Sequence, residues 1–86
     1  MATLDVVIVS ADHEVWSGKA TQVVAKTLIG EIGILAGHEP VLAVLAPGEV
    51  RVTTEEGPVI RASAQDGFIS MQNNTLTIVA GTAELV

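Results

Sequence analysis

The sequence predicts an all-β domain, either a β-sandwich or a barrel, without a long helix. Hydrophobic residues make up 49% of the 86 residues, but there is one Phe, one Trp and no Tyr. The core must therefore consist mainly of Val, Ile, Leu and Ala, and β-branched side chains pack well on a pleated surface. We expect the two large rings, Trp16 and Phe68, to lie in that core. Apolar segments alternate with turn residues throughout, which predicts about ten short strands in one domain over residues 1–86.

In the first half of the chain, the predicted strands are apolar runs bounded by polar residues or glycine. They are Leu4–Ser10, Glu14–Trp16, Ala20–Thr27, Ile32–Leu35 and Val41–Leu45. The first run is nearly continuous, which is typical of a strand covered on both faces. The last run is the best helix candidate of the chain, but it is too short for a stable helix and Pro47 follows it closely.

In the second half, apolar segments are separated by strong turn signals. The segments are Val50–Thr53, Val59–Ala62, Phe68–Met71, Thr75–Ala80 and Thr82–Leu85. The Glu-Glu-Gly sequence at 55–57 predicts a hairpin turn, and the Gln-Asp-Gly sequence at 65–67 predicts another turn. Asn73 and Asn74 predict a tight turn, because Asn tolerates the left-handed region of backbone conformation.

The charge balance excludes several classes of partner. A formal charge of −6 arises from ten acidic residues against Lys19, Lys26, Arg51 and Arg61. Four scattered cations argue against binding to nucleic acid or to an anionic lipid surface. There is no cysteine, which excludes disulfide bonds and thiolate metal sites. No apolar run approaches the roughly 20 residues of a membrane span, and the first residues do not resemble a signal peptide.

Few residues could form a reaction centre. His13 and His38 are the only histidines, whereas a structural zinc site usually needs four His or Cys ligands. No Gly-x-Ser-x-Gly elbow is present. Glu55 and Glu56 fit a charged hairpin tip better than an acid/base pair. The glycine spacing matches neither the dinucleotide fingerprint nor the phosphate loop. We therefore predict no catalytic residue, no cofactor and no metal site.

The most informative segment is Gly30–Pro40, which reads Gly-Glu-Ile-Gly-Ile-Leu-Ala-Gly-His-Glu-Pro. Glycine allows positive φ or the close approach of another surface. The glycines of the segment are Gly30, Gly33 and Gly37. Pro40 favours extended geometry in the residue before it. The segment is interpreted as a tightly turned loop that presents Glu31, His38 and Glu39 to a partner, with Glu31 placed to contact an Arg or Lys.

This segment resembles the N-terminal domain of the epsilon subunit of F-type ATP synthases, which is called delta in mitochondria. Members of that family carry a stretch close to Gly-Glu-Leu-Gly-Ile-x-Pro-Gly-His-Ala-Pro. The resemblance extends over essentially the whole chain, with the spacing kept. The other matching segments are Leu4–Val7, Ser10-Ala11, Val15–Gly18, Leu45–Val52, Gly67-Phe68 and Asn74–Ala80.

The resemblance implies a flattened β-sandwich at the foot of the central stalk, and it implies a role. The domain would bind the gamma subunit and the polar loops of the membrane c-ring, couple proton-driven rotation to ATP synthesis, and perform no chemistry itself. Its place would be the cytoplasmic face of a bacterial plasma membrane, or the equivalent organelle-interior face. Glu31 matches the acid that approaches the c-ring loops, and the glycines match the same segment. The positions matching gamma-facing residues are Ser10, His38 and Ala43.

The chain departs from the family pattern in three ways. Ala36 stands where the family usually has Pro, which leaves the turn less pre-organised. Glu39 adds a charge where the family has a small residue. The family's C-terminal helical hairpin, the inhibitory element, is absent from this sequence, so we expect coupling without inhibition by that route.

A carrier domain of the biotinyl or lipoyl type is the main alternative. Such domains are also acidic β-sandwiches of similar size, and they need a modified lysine at an exposed hairpin tip. Lys19 follows Ser17-Gly18, and Lys26 lies within a predicted strand. Neither position matches such a tip, so the sequence favours the stalk domain.

Overall fold

The computed structural model describes residues 2–86, which form seven β-strands and no helix. The strands are β1 (Leu4–Val9), β2 (Glu14–Thr27), β3 (Gly30–Leu35), β4 (Val41–Val44), β5 (Gly48–Thr54), β6 (Val59–Gln72) and β7 (Thr75–Leu85). The predicted all-β class is confirmed. The strands are fewer and longer than expected, because β2 and β6, with 14 residues each, continue through expected breaks.

Five strands form a closed ring in the order β1-β7-β6-β5-β2, because β1 also pairs with β2. β1 and β7 are parallel, and the other named pairs are antiparallel. β3 lies beside β2 outside this ring, and β4 lies beside β6. The result is a barrel-like β-sandwich with two outer regions, one on β2, β3, β5 and the start of β6, the other on β4, β7, β1 and the end of β6.

Partway along β6 and β7, the side chains that face the core switch between even-numbered and odd-numbered residues. The switch occurs at the same place in both paired strands. Even-numbered residues of β6 are buried up to Ala64, and odd-numbered residues are buried from Ile69 onwards. Asp66, which has a φ of 61°, lies where this change occurs, and the pairing of β6 with β7 keeps one register on both sides of it, with Gln65 opposite Thr82 and Gly67 opposite Ala80. The alternation of β7 shifts in the same way at Gly81. The turn expected at 65–67 is therefore wrong, because this segment is a bend inside a continuous strand.

β2 makes a corresponding shift near its middle. Its register with β5 is irregular between Ala20 and Gln22, and the intervening Thr21 donates its hydroxyl to the carbonyl oxygen of Thr53 at 3.4 Å. The first half of β2 pairs with β1 and the second half with β3. Strands that pass from one sheet region to another through bulges allow the two regions to enclose one core.

The core consists of Leu, Ile, Val, Ala and Met side chains, as the composition predicts. Its largest fully buried members are Leu4, Ile8, Ile34, Ile69, Met71, Leu76 and Ile78. Trp16 is half-buried, packs against this core and covers Gly18. Phe68, which was expected in the core, is 41% exposed. That expectation is wrong because the shift at Asp66 turns Phe68 outward while its neighbour Ile69 points inward.

Two of the predicted turns are confirmed. Asn73 and Asn74 connect β6 and β7 with φ angles of 52° and 57°, which are left-handed values that Asn tolerates. Residues 55–57 connect β5 and β6. The Thr54 hydroxyl donates to the carbonyl oxygen of Pro58 across that turn at 2.7 Å.

The close approach of β6 and β7 requires glycine at position 67. A Cβ atom on Gly67 would lie 1.8 Å from the carbonyl oxygen of Val79 and 2.6 Å from the Cα of Ala80. Both obstacles are backbone atoms of a paired strand, so a side chain cannot be accommodated by a rotamer change. Glycine is used where two backbones must come this close.

We predict that Gly67→Ala strongly destabilises the fold because the added methyl group overlaps this backbone. The free energy of unfolding should fall by more than about 2 kcal/mol, as in severe overpacking, measured by urea denaturation. Gly33→Ala is the matched control, since a Cβ there approaches only Gln22, at 3.9 Å. Equal stability of the two variants would contradict the close contact at Gly67.

Candidate partner-binding surfaces

The outer region on β4, β6, β7 and β1 carries a face without charged residues. The strand registers align its residues in two rows across these four strands. One row consists of Val44, Phe68, Val79 and Val9. The other consists of Leu42, Ser70, Thr77 and Val7. These eight residues are called the uncharged face. Its most exposed members lie on β4, where Leu42 is 73% and Val44 55% exposed. Contiguous exposed apolar area is typical of interaction sites.

The hairpin tip, Leu28 and Ile29, is a second exposed apolar feature. Ile29 is 95% exposed, although turns ordinarily carry small polar residues. The buried Thr27 hydroxyl holds the tip: it donates to the carbonyl oxygen of Gly30 at 2.7 Å and accepts the Ile29 N–H at 3.3 Å. The N–H of Leu28 donates to the carbonyl oxygen of Val44 at 3.1 Å. The tip is therefore continuous with the uncharged face.

The other outer region carries three of the four cationic residues of the chain. The charged face is defined here as Lys26, Glu31, Glu49, Arg51 and Arg61. Arg51 pairs with Glu31 at 3.4 Å, and Arg61 with Glu49 at 3.9 Å. Exposed pairs of this kind contribute little stability. Their role is local: Arg51 and Arg61 lie directly opposite each other, and the two carboxylates offset the repulsion between these like charges.

Glu31 lies in β3 and not in a loop. It is the register partner of Lys26 on β2, and its carboxylate faces Arg51 while the side chain stays 64% exposed. The loop interpretation of this position is wrong, because Gly30, with a φ of 123°, closes a two-residue hairpin and the chain enters β3 immediately. Glu31 therefore lies on the charged face, two residues beyond Ile29 of the hairpin tip.

Residues 36–40 are the irregular part of the predicted loop, and they connect β3 to β4. Gly33 is paired with β2, whereas Gly37 adopts a φ of 84°. His38 is half-buried, and its Nδ1 lies 2.7 Å from the carbonyl oxygen of Glu39. Because a carbonyl oxygen only accepts, this contact requires a proton on Nδ1.

The other two predicted partner residues, Ser10 and Ala43, are less exposed than such a role suggests. Ser10 is buried and directly follows Val9, at one end of the uncharged face. Ala43 packs against the core, and its neighbours on β4, Leu42 and Val44, present the exposed surface. The structure thus brings both residues to the uncharged face but turns their side chains mostly inward.

Ser10 belongs to a small hydrogen-bonded cluster between β1 and β2. Its hydroxyl donates to Asp12 Oδ1 at 3.1 Å, and His13 Nδ1 lies 2.6 Å from the same oxygen. The hydrogen bond from His13, then that from Ser10, and the charge of His13 lower the pKa of Asp12 below its usual value of 3.8. Since both partners donate to the carboxylate, the histidine does not activate the serine. The cluster therefore stabilises a turn.

Comparison with known proteins assigns the family. The sequence model of the family described as "ATP synthase, Delta/Epsilon chain, beta-sandwich domain" matches residues 3–86. The chain belongs to this family. It is 49% identical over 84 residues to the ATP synthase epsilon chain of Streptomyces coelicolor, covering 98% of this chain and 68% of that one. It is also 49% identical over 85 residues to the ATP synthase epsilon chain of Micrococcus luteus, covering 99% and 93%.

Solved structures with the same fold come from ATP synthases. A chain of the Euglena gracilis mitochondrial ATP synthase, determined as OSCP, F1 and c-ring, is similar with a TM-score of 0.92 and 25% identity over 99% of this chain. The present chain spans 54% of that chain. A chain of the Tetrahymena thermophila central stalk and c-ring shares the fold alone, with a TM-score of 0.73 and 17% identity over 93% of this chain and 64% of that one.

The positions of the lysines do not favour the carrier alternative. Lys19 lies within β2, where its ammonium group pairs with Asp5 at 3.0 Å, and this contact raises the pKa of Lys19. Lys26 also lies within β2, opposite Glu31 of β3. Neither is at a hairpin tip. Residues 2–86 also contain no group of three or more His, Asp or Glu side chains that could hold a metal ion, and no helix with the length and hydrophobicity of a membrane span.

The sequence reasoning missed the residues that make the uncharged face and the hairpin tip. For β6 a signal existed, because Phe68 and Ser70 alternate with the buried Ile69 and Met71. The polar Ser70 marks the outward-facing side of the strand, and Phe68, two residues earlier, points to the same side. No such signal exists for Leu42, since the surrounding run is apolar at every position.

We predict that the contribution of Asp12 to stability is present at neutral pH and is lost in acid. A folded-state pKa lowered from 3.8 means that the ionised form is the stabilised one. The stability difference between the native chain and Asp12→Asn should therefore shrink as the pH falls through and below 3.8. Urea midpoints measured between neutral and strongly acidic pH test this. Glu56→Gln, at an exposed hairpin, is the control, and a constant difference for Asp12→Asn would contradict the prediction.

Proposed function

We propose that residues 1–86 form one non-catalytic domain of the ATP synthase central stalk, which joins the gamma subunit to the c-ring. The observation that carries this proposal is the presence of two chemically different exposed surfaces on one sheet, whose closed ring of five strands carries β3 and β4 at its sides. The uncharged face offers apolar area to one partner. The hairpin tip, which borders the uncharged face, and Glu31 offer two aliphatic side chains and a carboxylate to a second partner.

The uncharged face is the proposed site for the gamma subunit. Leu42, Val44 and Phe68 lose water-exposed apolar area when covered, which is the main driving term of association. Two of the residues that match gamma-facing positions lie beyond this face, in opposite directions along the strands. Ser10 follows the Val9 end of one row, and the loop with His38 lies near the start of β7, about 20 Å away along that strand. A partner that spans the face would meet both.

The hairpin tip and Glu31 are the proposed site for the polar loops of the c-ring. Leu28 and Ile29 project beyond the sheet, and Glu31 follows them on the neighbouring strand. A carboxylate in this place suits a basic loop, and such a contact contributes to register and specificity more than to affinity. Arg51 already pairs with Glu31 within the chain, so a basic partner residue would share or displace that intrachain contact.

Coupling requires that the two sites move as one body. β2 and β6 each run through both outer regions, and the ring of five strands is closed by the pairing of β1 with β2. Force applied to the hairpin tip at the end of β2 therefore reaches the uncharged face through continuous hydrogen-bonded strands. No covalent chemistry is assigned to the domain, and its proposed place is peripheral, at the cytoplasmic or organelle-interior face of the coupling membrane.

We predict that Leu42→Lys weakens binding to purified gamma subunit by about tenfold or more, because it places a charge in the centre of an apolar contact. Isothermal titration measures the affinity, and urea denaturation verifies that the fold is kept. Val59→Lys is the matched control, since Val59 is also an exposed strand residue, 48% accessible, but lies outside the uncharged face. Equal affinities of the two variants would place the gamma site elsewhere.

We predict that Glu31→Gln weakens association with the c-ring several-fold and reduces its dependence on salt, because a charge-assisted contact is lost. Glu49→Gln is the matched control on the same face, where Glu49 pairs with Arg61. Co-sedimentation with c-ring in lipid vesicles at several salt concentrations gives the measurement. If Glu31→Gln and Glu49→Gln behave alike, Glu31 has no specific role at the ring.

A further inference from the structure

The loop that carries His38 is tied to a distant part of the chain by a single side chain. The N–H of Gly37 donates to Asn74 Oδ1 at 2.7 Å, across 37 positions of sequence. The other hydrogen bonds of this loop are local: the N–H of His38 donates to the carbonyl oxygen of Leu35 at 3.1 Å, and its ring contacts Glu39. The amide of Asn74 thus sets where the loop lies relative to β6 and β7.

Asn74 is itself held in place from two directions. It adopts a left-handed φ of 57° in the turn between β6 and β7. Its carbonyl oxygen accepts the N–H of Asp5, the second residue of β1, at 2.8 Å. A side chain on a backbone fixed in this way can position a neighbouring loop. Gly37, whose φ of 84° suits glycine, turns its N–H toward Asn74 in the same arrangement.

We propose that Asn74 is a positioning residue, which holds the His38 loop in register with the uncharged face for docking of the gamma subunit. The inference rests on the function proposed above and adds a residue that lies outside both the uncharged face and the hairpin tip. Asn74 joins three elements, the β6–β7 turn, β1 and the β3–β4 loop. Without its amide, the loop keeps only local hydrogen bonds, together with the packing of Ala36 against the core.

The neighbouring Asn73 provides a matched control within the same turn. Both residues are exposed and left-handed, with φ angles of 52° and 57°. Asn→Gly at either position keeps that conformation available and removes the side chain. Only Asn74→Gly removes the acceptor for Gly37. Asn74→Asp restores an oxygen at the same place and should rescue the contact.

The experiment measures amide hydrogen exchange at Gly37 by NMR on the whole chain, together with gamma affinity. In Asn74→Gly, exchange at Gly37 should rise about fivefold, the factor expected for one exposed hydrogen bond. Gamma affinity should fall by a similar factor. Asn73→Gly should change neither quantity, and Asn74→Asp should restore both. Exchange rates at buried strand positions report whether any variant loosens the whole fold.

The outcomes separate this inference from the proposed function. Unchanged exchange at Gly37 in Asn74→Gly would overturn the positioning role. Increased exchange with unchanged gamma affinity would overturn its part in docking, and the proposed function would stand if Leu42→Lys still weakened binding. If Leu42→Lys had no effect either, the proposed gamma site would fail, while the exchange data would still decide whether Asn74 holds the loop.

Discussion

The contact between the Gly67 backbone and the carbonyl group of Val79 is the constraint on which the rest of the structure depends. Where β6 and β7 approach this closely, both strands shift their alternation by one residue, at Asp66 and Gly81. The shift lets two sheet regions share one core of aliphatic side chains. It also decides what the surface shows, since it sends Phe68 outward and makes it part of the uncharged face.

The same strand pairings separate the charges of an acidic chain into different regions. Lys26, Arg51 and Arg61 gather on one outer region, where two carboxylates pair with the two arginines. The eight residues aligned across β4, β6, β7 and β1 include none with a charge. In the function proposed above the domain holds two different neighbours at once, and this separation would give each neighbour a surface of its own chemistry.

Much of the fold could be predicted from local patterns, and the failures share a cause. The all-β class followed from the β-branched composition, and the Asn73-Asn74 turn from the tolerance of Asn for left-handed φ. Gln-Asp-Gly at 65–67 was expected to be a turn because such residues break strands, but pairing along β7 keeps β6 continuous. Glu31 was expected in a loop because of its glycine neighbours, yet pairing with β2 makes it a strand residue.

The sequence by itself determined that this chain folds as a β-sandwich with an aliphatic core, and its Gly30–Pro40 segment pointed to the ATP synthase delta/epsilon family. These properties depend on composition, on residue types at turns and on a motif, all of which are local. Only the tertiary structure decided that Phe68 is exposed, that Glu31 faces Arg51 and that the N–H of Gly37 donates to Asn74. The reason is physical: a one-residue shift in a strand reverses its faces, and contacts across 37 positions of sequence exist only once the strands have paired.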